Sequence, residues 1–331
     1  MASICAGVLT YNRKELLASC LASLLAQTRL PDQIIVIDNG SSDGTEDLLR
    51  ARGYLDDPRI TLIRLEQNIG AAGGFAALFR AAFDGGFDWG WFMDDDVITE
   101  PDALAELIAA FTANFSHPAE IGFLTSAAVG PDGRSNDVPQ LDDRPGVNGF
   151  PEWEHLLASG LVKIRSCMLN AVLIPRTTLE RFGAPSTDFV IWGEDTDYSL
   201  RVTEERPGYL VGRSRITHLR PVNGHLSIHT ETEPSRIGRF FYLYRNTVYL
   251  RRRFWKRREL FFFLVRAVTD AAACLGHGPY RFWRFGLVVS GTVSGLFFHP
   301  RTVRLAAGEA KAPRKLADHA RAARSASVAL R

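Results

Sequence analysis

The chain has little of what a stapled or metal-knotted fold needs. Its four cysteines, Cys5, Cys20, Cys167 and Cys274, lie far apart and include no CxxC pair. Neither a disulfide framework nor a zinc site is therefore expected, and a reducing compartment is implied. The N-terminus, Met-Ala-Ser-Ile-Cys-Ala-Gly-Val, has no basic segment and runs straight into a strand-like stretch, so no signal peptide is expected. The longest uncharged apolar run, 285–298, falls short of the roughly 20 residues that a spanning helix needs, and no transmembrane pass is expected. No internal repeat is present. Disorder is excluded for most of the chain by a composition that is 46% apolar and 11% aromatic. The 331 residues suffice for one large domain or two modest ones.

What the chain does have is charge of opposite sign at its two ends. Residues 1–235 carry 19 Lys and Arg against 33 Asp and Glu, a net of −14. Residues 236–331 carry 20 against 4, a net of +16. An overall net charge of +2 conceals two surfaces suited to different partners.

Apolar runs alternate with helical patterns through the first third. Strand-like segments at 4–9, 33–37, 60–65 and 89–93 are separated by helical spacing at 13–27, 45–52 and 72–83. This order predicts βαβ units in a mostly parallel sheet flanked by helices, with ligands bound at the carboxyl ends of the strands. A loop-rich stretch follows at 130–151. Residues 166–174 read as one strand, 175–182 as a helix, and a second helix runs from the Trp192-Gly193-Glu194-Asp195 segment through Val202. Beyond residue 236 the chain turns aromatic and basic, and 309–331 reads as a flexible Ala/Arg-rich tail.

Two acidic clusters carry the chemistry. Asp94-Asp95-Asp96 ends an apolar strand, where residues two apart point the same way, so Asp94 and Asp96 converge. Adjacent carboxylates repel unless a cation or protons relieve them, which suits Mn²⁺ or Mg²⁺ bridging to phosphates; a solvated acidic turn is the alternative. Glu194-Asp195-Thr196-Asp197 begins a helix, where one carboxylate can serve as a cap but three beside Trp192 suggest a base that deprotonates a hydroxyl. His218 follows a short strand; it is a metal ligand only if the acidic clusters form a metal site, and otherwise structural. Asn68-Ile69-Gly70-Ala71-Ala72-Gly73-Gly74 is a glycine-rich turn that permits close approach of a phosphate or sugar. It is neither GxGxxG nor a P-loop.

Taken in order, Thr10-Tyr11-Asn12-Arg13, the 36–45 segment around Asp38, Asn68-x-Gly70, the three aspartates and Glu194-Asp195 resemble an inverting family 2 glycosyltransferase of the GT-A fold. The resemblance covers residues 3–220. Asn-x-Gly-x-x-Gly-Gly-Phe, Phe-Met-Asp-Asp-Asp and Glu-Asp-x-Asp-Tyr-x-Leu-Arg are similar to bacterial galactofuranosyltransferases, and rhamnosyltransferases share some of these features. The resemblance implies a Rossmann-like GT-A catalytic domain over 1–235. Thr10, Asn12, Arg13, Asp38, Asn68, Gly70, Gly73, Asp94 and Asp95 would bind the donor. Asp94, Asp96 and His218 would hold Mn²⁺ or Mg²⁺, Asp195 would be the general base, and Trp192 and Glu194 would shape the acceptor pocket. An Arg common in the family's Asn-x-Gly helix is absent at Ala77, and Arg80 comes one turn later. The implied reaction moves galactofuranose from UDP-galactofuranose to a lipid-linked glycan in cell-envelope polysaccharide synthesis. A rhamnosyltransferase using dTDP-rhamnose, or an inactive glycan-binding scaffold, are the alternatives.

Residues 251–284 hold nine Lys and Arg beside Phe261, Phe262, Phe263, Phe282 and Trp283. Such interleaving suits helices lying in an anionic membrane interface, each basic residue contributing about 1 kcal/mol. The 236–308 region is thus expected to hold the enzyme peripherally on the cytoplasmic face of the cell membrane. Packing on the catalytic domain or a homo-oligomer interface would use the same residues. Nucleic acid is not expected as a partner, because the acidic first part repels phosphate backbones and no RNA-binding motif is present.

Overall fold

Period-two alternation in the first strand divides the interior into two cores. In β1 (Ile4–Thr10), Ile4, Ala6 and Val8 enter one apolar cluster while Cys5 and Leu9 enter the other. All seven residues are buried, as expected of a central strand covered on both faces. The computed structural model describes residues 2–219, 227–276 and 278–305; the tail expected over 309–331 lies outside the described residues.

The first elements follow the expected βαβ order: β1, α1 (Lys14–Leu25), β2 (Gln33–Asp38), α2 (Thr45–Ala51), β3 (Ile60–Arg64), α3 (Gly70–Asp84) and β4 (Trp89–Asp94). β1 pairs in parallel with β2 and β4, and β2 with β3. The register sets Thr10 beside Asp38 and Leu9 beside Asp94, so the three strands deliver their polar ends to one place.

The sheet as a whole is mixed, which corrects the expectation of a mostly parallel one. After β5 (Val97–Thr99), α4 (Ala103–Asn114) and β6 (Phe123–Val129) come β7 (Gln140–Leu141), β8 (Leu161–Ser166) and β9 (Val172–Pro175). Then follow α5 (Arg176–Phe182), α6 (Glu194–Thr203) and β10 (Gly208–His218). The ten strands run in the order β3-β2-β1-β4-β9-β6-β10-β8-β7, with β5 on β10. β9 is antiparallel to both β4 and β6, and β8 to both β10 and β7; only β6 and β10 pair in parallel in this half. No crossover helix lies between β7 and β8 or between β6 and β9, so those two pairs lack the connection that parallel pairing requires. The single strand expected over 166–174 is two strands that are not neighbours. Between them Ala171 takes φ 59, which breaks the extended backbone.

α1 and α4 cover one face with Leu17, Leu21, Leu24, Leu104 and Leu107. α3, α5 and α6 cover the other, where Phe79 stacks on Phe92 at 4.1 Å and meets the edge of Tyr198 at 5.2 Å. All four cysteines are buried and free.

α7 (Pro234–Ile237) leads into α8 (Phe240–Phe254), α9 (Arg257–Gly276) and α10 (Arg281–Phe297). α8 packs on the body built around the sheet: Leu250 and Phe254 cluster with Ala72, Phe189 and Leu200. Arg165 donates to the Phe254 carbonyl at 2.6 Å, and Arg253 pairs with Glu204 at 2.9 Å. α9 and α10 pack in turn on α8. Among the described residues no helix is long and apolar enough to cross a membrane. The outer sides of α9 and α10 nonetheless expose Phe261, Phe262, Val268 and Phe297 at 61%, 64%, 70% and 75%.

Gly291 and Gly295 let α10 lie on α8. A Cβ at these positions would stand 2.6 Å from the Phe241 carbonyl oxygen and 2.5 Å from that of Arg245. Gly286, with nothing within 4 Å, is the internal control. Gly291→Leu is expected to lower unfolding free energy by about 1–3 kcal/mol through overpacking, whereas Gly286→Leu leaves it nearly unchanged; denaturant titration of the two variants checks this.

Candidate functional site

A cleft of about 1050 Å³ opens at the carboxyl ends of β1 and β4. It is lined by both acidic clusters, although a hundred residues separate them in sequence: Asp94, Asp95 and Asp96 from the end of β4, and Glu194 and Asp195 from the start of α6. Thr10, Arg13, Asn68, Gly70, Trp192 and His218 line it as well.

The three aspartates do different things. β4 ends at Asp94, so Asp96 lies in the turn to β5 rather than on the strand, and its own carbonyl accepts from the Leu219 amide at 2.8 Å. Asp95, expected at the donor, turns to the protein: Thr10 Oγ1 donates to it at 2.6 Å and Arg13 lies at 3.3 Å. Burial nevertheless pushes its pKa up to about 6. Asp96 is buried too, yet its carboxyl is held below the usual range because His218 Nε2 stands 3.1 Å away and Arg13 2.9 Å. Asp94 has no such pairing strong enough to offset burial and the charges of Asp96 and Asp95. Its pKa is driven well up. His218 is itself flanked by Asp137 and Asp96, which overcome the cost of burial and push its pKa up to about 10.

Two carboxylates and one imidazole on the same cleft are the right kinds of donor for Mn²⁺ or Mg²⁺, although among the described residues no three acidic, His or Cys side chains stand as a ready coordination shell. The charge balance fits a cation all the same. Arg13 and His218 answer Asp96, Asp95 is bound to Thr10, and Asp94 is left as the carboxylate a cation would ionise.

Of the other residues expected at the donor, Asp38 is buried under the turn it caps, its Oδ1 accepting from the Ser41 amide at 2.8 Å and its Oδ2 making no hydrogen bond among the described residues. Asn39, not Asp38, reaches the cleft lining. Asn12, in the left-handed region at φ 53, accepts from the Ser42 amide at 2.7 Å and lies outside the lining. Gly73 is also absent from the lining: its missing Cβ makes room for the Ile69 side chain at 2.8 Å. Gly70 does line the cleft, and its bareness is required at φ 81 by the Val190 carbonyl, 2.4 Å from where a Cβ would be. The glycine-rich turn thus serves packing as much as approach to a ligand.

On the other side, a strained loop presents Trp192 and Asp195. Val190 and Trp192 both have positive φ, 67 and 61, which for a β-branched and a bulky residue costs about 1–3 kcal/mol each. Asn246 of α8, fully buried, offsets this by directing its amide at the carbonyls of Phe189, Ile191 and Trp192 at 3.1, 3.0 and 2.7 Å. Asp195 accepts from the Thr196 amide at 2.6 Å; burial raises its pKa, and nearby Asp137 adds to the rise. Asp197 is structural, paired with Arg201 at 2.8 Å and Tyr249 at 3.3 Å. Sequence reasoning missed Asn246, Asp137 and Asn170. Asn246 carries a legible signal as an amide within an aromatic helix, whereas the other two lie in loops without periodicity.

Glu194 is buried in the wall, and its Oε2 has no hydrogen bond among the described residues. Burial, then the charge of Asp195, push its pKa up to about 8. Between the ordinary carboxylate value and 8 the folded state holds a proton that the unfolded chain has released, so stability falls as pH rises through that window. From about pH 5 to about pH 9 the wild-type melting temperature is expected to fall further than that of Glu194→Gln; parallel melting curves would show instead that Glu194 titrates normally.

Residues 5–118 match the profile of Glycosyl transferase family 2. Over 266 residues the chain is 27% identical to galactofuranosyltransferase GlfT1 of Mycolicibacterium smegmatis, spanning 75% of this chain and 82% of that protein. Over 214 residues it is 28% identical to galactofuranosyltransferase GlfT1 of Mycobacterium tuberculosis, spanning 60% of this chain and 64% of that one. Among solved structures, GalNAc-T7 with UDP, GalNAc and Mn²⁺ superposes with a TM-score of 0.59 at 14% identity, over 88% of this chain and 54% of that one, a likeness of fold alone. The mixed sheet flanked by helices is of the GT-A kind. Residues 5–118 thus carry the likeness to glycosyl transferase family 2, and the chain is a glycosyltransferase enzyme.

Proposed function

We propose that the enzyme transfers galactofuranose from UDP-galactofuranose, with inversion, to a lipid-linked glycan acceptor in cell-envelope polysaccharide synthesis. The observation that carries this reading is the meeting of two carboxylate clusters in one cleft, one answered by Arg13, Thr10 and His218 and the other set beside Trp192. Two galactofuranosyltransferases among the relatives point to the donor sugar.

The roles follow from the charges. In an inverting transfer an acceptor hydroxyl attacks the anomeric carbon from the side opposite the leaving nucleoside diphosphate. Asp195 takes the hydroxyl proton; its raised pKa makes it a better base than an exposed carboxylate while the Thr196 amide orients it. Trp192 offers a face for the acceptor sugar, and Asn246 keeps that face in place. On the donor side, Asp94, Asp96 and His218 would hold a Mn²⁺ or Mg²⁺ ion, which when bound supplies Lewis-acid stabilisation of the leaving diphosphate. Thr10 fixes Asp95, and with it the end of β4. An inactive glycan-binding scaffold has no use for a strained loop that presents a second carboxylate pair.

The exposed Phe261, Phe262 and Val268 of α9, with Arg258 and Arg266 on the same helix, support peripheral association with an anionic membrane on its cytoplasmic side.

Asp195→Ala is expected to reduce transfer by about 10²-fold or more while UDP binding by calorimetry stays near wild type; near-normal turnover would reject the base assignment. Product mass from a panel of nucleotide sugars separates UDP-galactofuranose from dTDP-rhamnose. Phe261→Asp/Phe262→Asp is expected to abolish flotation with anionic vesicles and to leave turnover of a water-soluble acceptor intact. Undiminished flotation would remove the membrane from the reading.

A further inference from the structure

We infer that Asp137 is a positioning residue that fixes the ring orientation and tautomer of His218, turning its Nε2 into the cleft toward Asp96. The inference rests on the assignment of His218 to the donor side of the transferase site.

The geometry comes from three separate segments. His218 ends β10 and is nearly buried, with Nδ1 2.5 Å from Asp137 Oδ2 and Nε2 3.1 Å from Asp96 Oδ1. Asn170, in the loop between β8 and β9, donates to the same Asp137 oxygen at 2.9 Å. The Asp137 side chain is only 4% exposed, although its neighbour Val138 is 73% exposed. A carboxylate is thus drawn inward from a surface loop.

The loop is built to hold it there. A bridge pairs Val129 with Ser135, the Asn136 amide donates to the Ala128 carbonyl at 3.0 Å, and the Asp137 amide donates to Asn136 Oδ1 at 2.9 Å. Asp137 itself sits at φ 46, in the left-handed region. Asp tolerates this region better than most residues, but such a conformation persists only where its surroundings impose it.

An imidazole has two tautomers and two ring orientations, and only one combination offers a nitrogen lone pair to the cleft while the other nitrogen donates. A carboxylate accepting from Nδ1–H selects that combination. Asp137 therefore prepares His218 as a ligand, as outer carboxylates do for metal-bound histidines. Asn170 in turn aims the carboxylate.

The test uses full-length protein with Mn²⁺ and UDP. Asp137→Ala is expected to weaken Mn²⁺ binding by about 10- to 100-fold, measured by titration calorimetry or electron paramagnetic resonance, with UDP affinity in chelator unchanged. Asp137→Asn, which keeps an acceptor but not the charge, falls between wild type and Ala. In a His218→Ala background, Asp137→Ala adds no further loss, since it acts through the histidine. The ¹⁵N and ¹H shifts of the His218 Nδ1–H group, read without metal, report a ring held against Asp137 in wild type and one released in Asp137→Ala. Unchanged shifts in that variant, or additive losses in the double variant, would overturn the inference. Should wild type bind no Mn²⁺, the donor-side assignment fails, while these shifts still decide whether Asp137 sets the ring. If Asp137→Ala does not fold, Asp137→Asn gives the same comparison.

Discussion

Negative charge gathered where water is scarce is the constraint that the rest of this structure answers. Parallel strands end side by side, and register brings Thr10, Asp38 and Asp94 to one rim, with Asp95 and Asp96 following in the turn. Removing a carboxylate from water is costly unless donors or opposite charge replace its hydration. Asp95 receives Thr10 and Arg13, and Asp96 receives Arg13 and His218. Asp94 receives too little, and its protonated form is favoured. A site with one unanswered carboxylate beside two answered ones has a defined appetite for positive charge, and a nucleoside diphosphate can share that charge.

The parallel half and its acidic end were legible because they follow from local pattern. Alternating β-branched runs and helical spacing set β1 to β4, and chain order alone put Asp94 at a strand's carboxyl end. The antiparallel half was less legible. A run of apolar residues from 166 to 174 looks continuous, but the loop 167–171, with Ala171 at positive φ, separates β8 from β9, which lie at different places in the sheet. Glycines misled in a similar way: in a helix a bare Cα can admit a ligand or a neighbouring side chain, and Gly73 admits Ile69. Asp137 and Asn170 left no trace in the sequence, because their meaning depends on β10 passing between distant loops.

The Trp192 side of the cleft depends on a contact that crosses the change in composition at residue 236. Two residues with positive φ turn the 190–192 loop toward the cleft, and the amide of Asn246 gathers the carbonyls this turn exposes. Unpaired buried carbonyls would each cost about 1–3 kcal/mol, so α8 stabilises the strained conformation rather than merely adjoining it. Arg245 reinforces the contact by donating to the Asp188 carbonyl at 2.6 Å while lying over Phe298. The first of the aromatic, basic helices therefore supports the loop that lines the cleft.

That involvement divides the basic residues and weakens any argument from net charge alone. Arg253 is paired with Glu204 and Arg251 with Glu259, Arg252 donates to the Leu296 and Phe298 carbonyls, and Arg284 is buried against those of His229 and Glu231. Charges used to join helices to one another contribute little to a field felt outside the protein. Within 251–284, what remains for an anionic surface is Lys256, Arg257, Arg258, Arg266 and Arg281, two of which have a nearby acid. At about 1 kcal/mol for each basic residue, those five charges would give the proposed membrane association only a loose hold. In that proposed association, burial of the exposed rings Phe261, Phe262 and Phe297 would add to the affinity, and it would also hold α9 and α10 in a fixed orientation that carries through α8 to the cleft.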